Sequence, residues 1–98
     1  MAVKVLIKRV VPENKIKLLM PLLRQLRALA VSQEGYISGE TLHHLNDPEN
    51  FLVIGSWQTS DAWTKWFNNS ERKELQEKID ALLREPTKYD VYHYGFIE

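Results

Sequence analysis

Residues 51 to 59 read Phe51-Leu52-Val53-Ile54-Gly55-Ser56-Trp57-Gln58-Thr59. β-branched and aromatic residues dominate this run, so it reads as a strand. By the alternation of a strand, Phe51, Val53, Gly55 and Trp57 point one way while Leu52, Ile54 and Ser56 point the other. Both sets are largely apolar, whereas an antiparallel strand with one solvated face carries polar residues at alternate positions. The run YDVYHYGFI at 89 to 97 repeats the feature, with Val91, His93, Gly95 and Ile97 opposed to Tyr92, Tyr94 and Phe96.

Upstream, residues 36 to 45 (YISGETLHHL) keep a period of two, and Asn46-Asp47-Pro48-Glu49-Asn50 is turn chemistry that joins them to the 51–59 run as an antiparallel hairpin. Residues 3 to 10 (VKVLIKRV) form another strand. Pro12 suits a first helical position, and Glu13 adds negative charge where the helix dipole favours it. From Ile16 to Val31 the residues Ile16, Leu19, Met20, Leu23, Leu26 and Ala30 recur at spacings of three and four, the stripe of a buried helix face. Leu18, Leu22 and Leu29 widen it, Pro21 predicts a kink, and Gly35 supplies a stop.

Downstream, Thr59, Ser60 and Asp61 offer an N-cap for a short helix over Ala62 to Phe67. After Asn68-Asn69, Ser70 can cap a second helix whose Leu75, Ile79, Leu82 and Leu83 form a stripe, with Glu74 and Lys78 as an exposed ion pair. Glu85-Pro86-Thr87 ends it. The order strand, helix, strand, strand, helix pair, strand is the split arrangement of an α+β, ferredoxin-like βαββαβ sheet with helices on one face, in a single domain over 1–98. Helices cover one face only. A second copy of the chain is the economical cover for the other, which predicts a homodimer pairing through the sheet.

With 98 residues, the chain buries only about 65% of its unfolded surface and builds one modest core. Its 13 basic and 13 acidic residues balance, which argues against nucleic acid or an anionic membrane as partner. No run approaches the roughly 20 apolar residues of a membrane span, and Lys4, Lys8 and Arg9 interrupt the first apolar stretch where a secretory signal would be continuous. With no cysteine in the chain, the expected setting is soluble and cytoplasmic. There is no GxxxxGK[ST], GxGxxG or GxSxG, so phosphate, dinucleotide and hydrolase readings lack support.

Gly35-Tyr36-Ile37-Ser38-Gly39-Glu40, then Asn46 to Asn50, then the stretch from Val53 through Trp57 and Trp63 to Trp66 resemble the antibiotic biosynthesis monooxygenase family of dimeric α+β barrels. The resemblance implies a ferredoxin-like protomer with a pocket between sheet and helices, and a homodimer formed through the sheet. It also implies oxygenation of a small aromatic or quinol compound with neither flavin nor metal, so no cofactor is expected; one branch of the family instead cleaves haem. Carried over by position, the strand-ending Trp of the polyketide-oxidising branch is matched by Trp57. Its Asn falls at Val53, its Tyr at Trp63 and its Arg near Gln76. In the haem branch the helical Trp is matched by Trp66, the axial His falls at Gln76, and the first-strand Asn at Leu6 or Lys8. Neither polar set is kept, so the catalytic residues are unassigned, and a non-catalytic dimeric barrel that binds a small apolar ligand or a partner is the alternative.

The candidate pocket wall is Trp57, Trp63, Trp66 and Phe67, whose flat rings suit a planar ligand and equally suit core and dimer packing. His44 shares a strand face with Glu40, and with His93 offers a base for a phenol; hydrogen-bonded or partly exposed histidines fit the same pattern. Tyr36, Tyr92 and Tyr94 could donate to a substrate oxygen. As a metal site the histidines are weak, because adjacent His43 and His44 point to opposite faces and no third ligand is evident.

Overall fold

The computed structural model describes residues 1–94. Strand β1 (Val3–Val10) leads through a 3₁₀ turn (Glu13–Lys15) into helix α1 (Ile16–Val31). Strands β2 (Tyr36–His43) and β3 (Asn50–Trp57) follow as a hairpin, then helices α2 (Ser60–Phe67) and α3 (Ser70–Asp80), and strand β4 (Lys88–His93). The four strands form one sheet in the order β2-β3-β1-β4, every neighbouring pair antiparallel. β1 and β2 therefore run the same way with β3 between them, the split βαβ connection of the ferredoxin-like α+β fold.

Register assigns the faces. Val3, Val5, Ile7 and Arg9 of β1 lie opposite Trp57, Gly55, Val53 and Phe51 of β3. Val3, Val5 and Trp57 are buried beneath Trp63 and Trp66 of α2, while Val11, Leu19 of α1 and Ile79 of α3 make a second buried cluster. Each such aliphatic side chain contributes roughly 1.5–3 kcal/mol by leaving water. On the other face, Leu6, Leu52 and Ile54 are half-buried, and Leu42 and Tyr92 are exposed. Among the described residues, no element covers that face.

Several local expectations shift. β2 ends at His43, so His44 and Leu45 belong to the turn, where Asp47 Oδ1 accepts from the Glu49 amide and His44 Nδ1 from the Asn46 amide. Pro12 precedes the first turn in an extended conformation (ψ 136°) and is not its first residue. α1 continues through Pro21 without a break: Pro21 and Lys17, whose carbonyl loses its donor, both lie on the solvent side. Thr59 caps α2 by accepting from the Ala62 amide, but α3 is capped by Asn69, which accepts from Arg72, and not by Ser70. Glu74 and Lys78 do not pair; the ion pairs among the described residues are Arg84–Glu49 and Lys88–Glu85. The part of the expected last strand that falls on Gly95, Phe96 and Ile97 lies outside the described residues.

Gly35 joins α1 to β2 at φ +86°, and a Cβ there would sit 2.5 Å from Ala62 Cβ. Glycine is needed on both counts.

Candidate active site

β2 contains a bulge between Tyr36 and Ser38. Beyond it, Gly39, Thr41 and His43 pair with Gly55, Val53 and Phe51, so they share the helix-facing side with Tyr36, which pairs with Trp57. Without the extra residue Tyr36 would share a face with Glu40 and Leu42. Its ring meets Trp57 edge-on at 5.4 Å between centroids and lies over Gly39, where a Cβ would come within 3.0 Å of the hydroxyl oxygen.

Between the two buried clusters, α1 and the helix-facing side of the sheet enclose a cavity of about 230 Å³. Trp57, Trp63 and Trp66 wall one end, with Trp57 and Trp66 stacked at 6.3 Å and Trp57 and Trp63 edge-on at 6.0 Å. Ile7, Val53 and Phe51 supply the floor, and Met20, Leu23 and Leu26 of α1 the roof. The exposed members Arg24, Arg27 and Thr41 mark the mouth between α1 and the edge strand β2. A volume somewhat above the roughly 150 Å³ that holds a benzene in an apolar cavity suits one ring or two.

Of the residues singled out by sequence, Trp57, Trp63 and Trp66 line this cavity together. Phe67 stands behind Trp63 at 5.7 Å, in contact with Tyr89, and is outside the lining. His44 lies in the hairpin turn and His93, opposite Val3, is exposed at the end of β4; neither reaches the cavity. Glu40 pairs with Ile54 on the uncovered face, so no His44 and Glu40 base is presented to a ligand here. The histidine nearest the cavity is His43, stacked at 4.7 Å on the lining residue Phe51, with Nε2 hydrogen-bonded to the Pro48 carbonyl.

Tyr36, singled out by sequence as a possible donor to a substrate oxygen, also lines the cavity; its other polar side chains, Arg9, Arg24, Arg27 and Thr41, were not expected from the sequence. Arg9 reads as a surface charge beside Lys8, yet it has the parity of Val3, Val5 and Ile7, and that parity was the available signal. Arg24 and Arg27 sit one helical turn from Met20 and Leu23, on the flank of the apolar stripe. Arg9 is 4% exposed. Its Nη2 donates to Gln76 Oε1 at 3.4 Å, and Gln76 Nε2 donates in turn to Asp80 and Thr87. Burial lowers the Arg9 pKa from its ordinary value, and Tyr89 and Asp80 oppose that shift. Both amide atoms of Gln76 are thus engaged in bracing Arg9, and the position matching the haem branch's axial histidine offers no ligand to iron.

The fold and cavity together define a class: a ferredoxin-like α+β domain with a small, mainly apolar pocket, walled at one end by tryptophans, between its sheet and its helices. The sequence pattern of the family described as antibiotic biosynthesis monooxygenase matches residues 2–78, and the chain belongs to that family. Solved structures that share the fold include a conserved protein from Methanosarcina mazei Go1, with TM-score 0.87, 22% identity, and coverage of 94% of this chain and 91% of that one. Another is a Mycobacterium tuberculosis protein, at 0.86 and 12%, covering 99% and 98%. A variant of SnoaB, a cofactor-independent oxygenase from Streptomyces nogalater, aligns at 0.85 and 12%, covering 98% and 95%. Curated protein sequences give no match. Among the described residues, no helix is long and apolar enough to cross a membrane.

Proposed function

We propose that the chain is a cofactor-independent monooxygenase of a small aromatic or quinol compound, acting as a cytoplasmic homodimer that pairs through the uncovered sheet face. The observation that carries this is the cavity itself: three tryptophans around a space for one or two rings, with cationic and hydroxyl groups at its other end. Family membership and the oxygenase among the structural neighbours point the same way. The work asked of the protein is modest. It excludes water, holds the ionised substrate, and stabilises anionic charge while O₂ takes an electron from the ring. The resulting radicals combine to a hydroperoxide, and loss of water leaves a carbonyl. An activated methylene and O₂ become a carbonyl and water, and no external reductant is consumed.

A second reading, a non-catalytic ligand-binding barrel, is favoured by one observation: among the described residues, the lining contains no His, Asp or Glu to act as a base. Oxygen-electrode assays against a panel of quinols and polyphenols separate the two. The oxygenase reading expects uptake with at least one compound, quenching of tryptophan fluorescence by that compound, and loss of uptake in Trp57→Phe or Trp66→Phe variants that fold normally. Absence of uptake across the panel, with unchanged fluorescence, overturns it.

A further inference from the structure

Among the described residues, Arg9 is a buried cation without a counter-ion. No carboxylate of theirs lies within ion-pair distance, its one hydrogen bond among them is a long one to a neutral amide, and its Nε has no partner there. Asp80 is reached only through Gln76, and its Oδ1 already accepts from Gln76 and from the Thr87 amide and hydroxyl.

Arg72 shows how this chain satisfies a buried guanidinium that serves packing. Equally buried at 5% exposure, it donates to the Phe67 carbonyl at 2.8 Å and the Tyr89 hydroxyl at 3.1 Å, and lies over the Phe67 ring at 4.5 Å. Arg9 has nothing comparable. It lines the cavity, and Arg24 and Arg27 add two further guanidiniums, of which Arg27 makes one bond of 3.4 Å to the Gly39 carbonyl. Among the described residues, no acidic side chain lines the cavity. An unpaired charge in an aromatic enclosure is costly to keep and is relieved by a bound anion.

The charge is also placed at one end. Arg9 sits opposite Phe51, whereas Trp57 lies six residues further along β3 and opposite Val3. A ligand that satisfies both ends has a flat ring and an anionic group joined to it.

We propose that the cavity takes an aromatic carboxylate, its ring against Trp57 and Trp66 and its carboxylate on Arg9, with Arg24 and Arg27 drawing the anion in at the mouth. This rests on the oxygenase reading for the fate of the ligand and narrows the substrate class to carboxylated phenols or quinols. Bidentate pairing with a guanidinium is the strong form of carboxylate recognition.

Anaerobic calorimetry with 2,5-dihydroxybenzoate, 2,5-dihydroxybenzamide and hydroquinone tests it. The acid should bind at least tenfold more tightly than either neutral compound, and the preference should shrink as salt rises. Arg9→Gln should abolish the preference, whereas Arg84→Gln, at an exposed side chain outside the cavity lining, should keep it. If Arg9→Gln does not fold, the Arg24→Gln/Arg27→Gln double variant, altered only at the exposed mouth, should weaken acid binding and leave amide binding unchanged. Equal affinities for acid and amide in the parent, or no binding of the acid, overturns the proposal. Acid binding with no oxygen uptake from any compound overturns the oxygenase reading and leaves the anion site standing. Uptake with neutral quinols and no acid preference does the reverse.

Discussion

Glu49 gathers three segments at one carboxylate. It accepts from Arg84 Nε at 2.7 Å and Nη2 at 3.0 Å and from the Glu13 amide at 3.2 Å, tying the hairpin turn to the start of α1 and to the chain beyond α3. Its pKa is lowered mainly by the Arg84 hydrogen bonds, and the Glu13 amide adds to this. A carboxyl with a depressed folded pKa stabilises the fold above its unfolded pKa, and that contribution is lost as pH falls through the folded value. Because the pair is exposed, the effect is small and screened by salt. Glu49→Gln should lower the melting temperature slightly near neutral pH, and melts at successively lower pH should converge with the parent in strong acid. A difference that persists unchanged in acid would show the contact contributes nothing through charge. None of this was legible from sequence, where Glu49 is simply part of a turn motif. The arginines of the cavity escaped for a related reason: a charge in an amphipathic pattern reads as solvated unless its parity is followed, whereas Trp57, Trp63 and Trp66 announce themselves by residue type.

The elements themselves were legible where hydrophobic period and punctuation agree. α1 spans the 16–31 segment its stripe marks, and Thr59 caps α2 as its position before Ala62-Trp63 implies. The limits of β2 and β3 moved by one or two residues, and the β2 bulge was invisible, because one inserted residue changes no composition yet turns Tyr36 from the open face onto Trp57. That single step decides which polar groups meet the cavity, and explains why Glu40 and His44 stand away from it. The caps make a matching prediction for α2 and α3. Each accepts one backbone donor, Thr59 from Ala62 and Asn69 from Arg72, both at 3.0 Å. Thr59→Ala and Asn69→Ala should each cost about 0.5–2 kcal/mol by urea denaturation. Thr59→Ala should loosen the helix that carries Trp63 and Trp66, so its tryptophan emission should shift red before global unfolding. Asn69→Ala should shift emission less, since α3 bears no tryptophan.

Across the whole molecule, the double-sided apolarity of β3 resolves into two destinations. Val53 and Trp57 face the helices and the cavity, while Leu52 and Ile54 join Leu6 and Leu42 on a face that none of the described residues covers. The rows across that face are ordered by register. Glu40, Ile54, Leu6 and Asp90 form one row, acidic at both ends, and Leu42, Leu52, Lys8 and Lys88 the next, basic on one side. An apolar centre with acidic and basic margins in adjacent rows is self-complementary about a two-fold axis, since each copy can set its lysines against the other's carboxylates. The proposed dimer therefore has a specific weak point at Ile54. It is half-buried within one chain, so replacing it costs the protomer little, while in a paired sheet Ile54→Lys places a charge in the apolar centre of each copy. Analytical ultracentrifugation should find the parent near 23 kDa, twice the 11.5 kDa of one chain, and Ile54→Lys near the single-chain mass with an unchanged circular dichroism spectrum. Thr41→Lys, on the opposite side of the sheet at the cavity mouth, should leave the dimer intact. A parent that sediments as one chain at tens of micromolar, or an Ile54→Lys variant that still pairs, would remove the sheet face as the site of association.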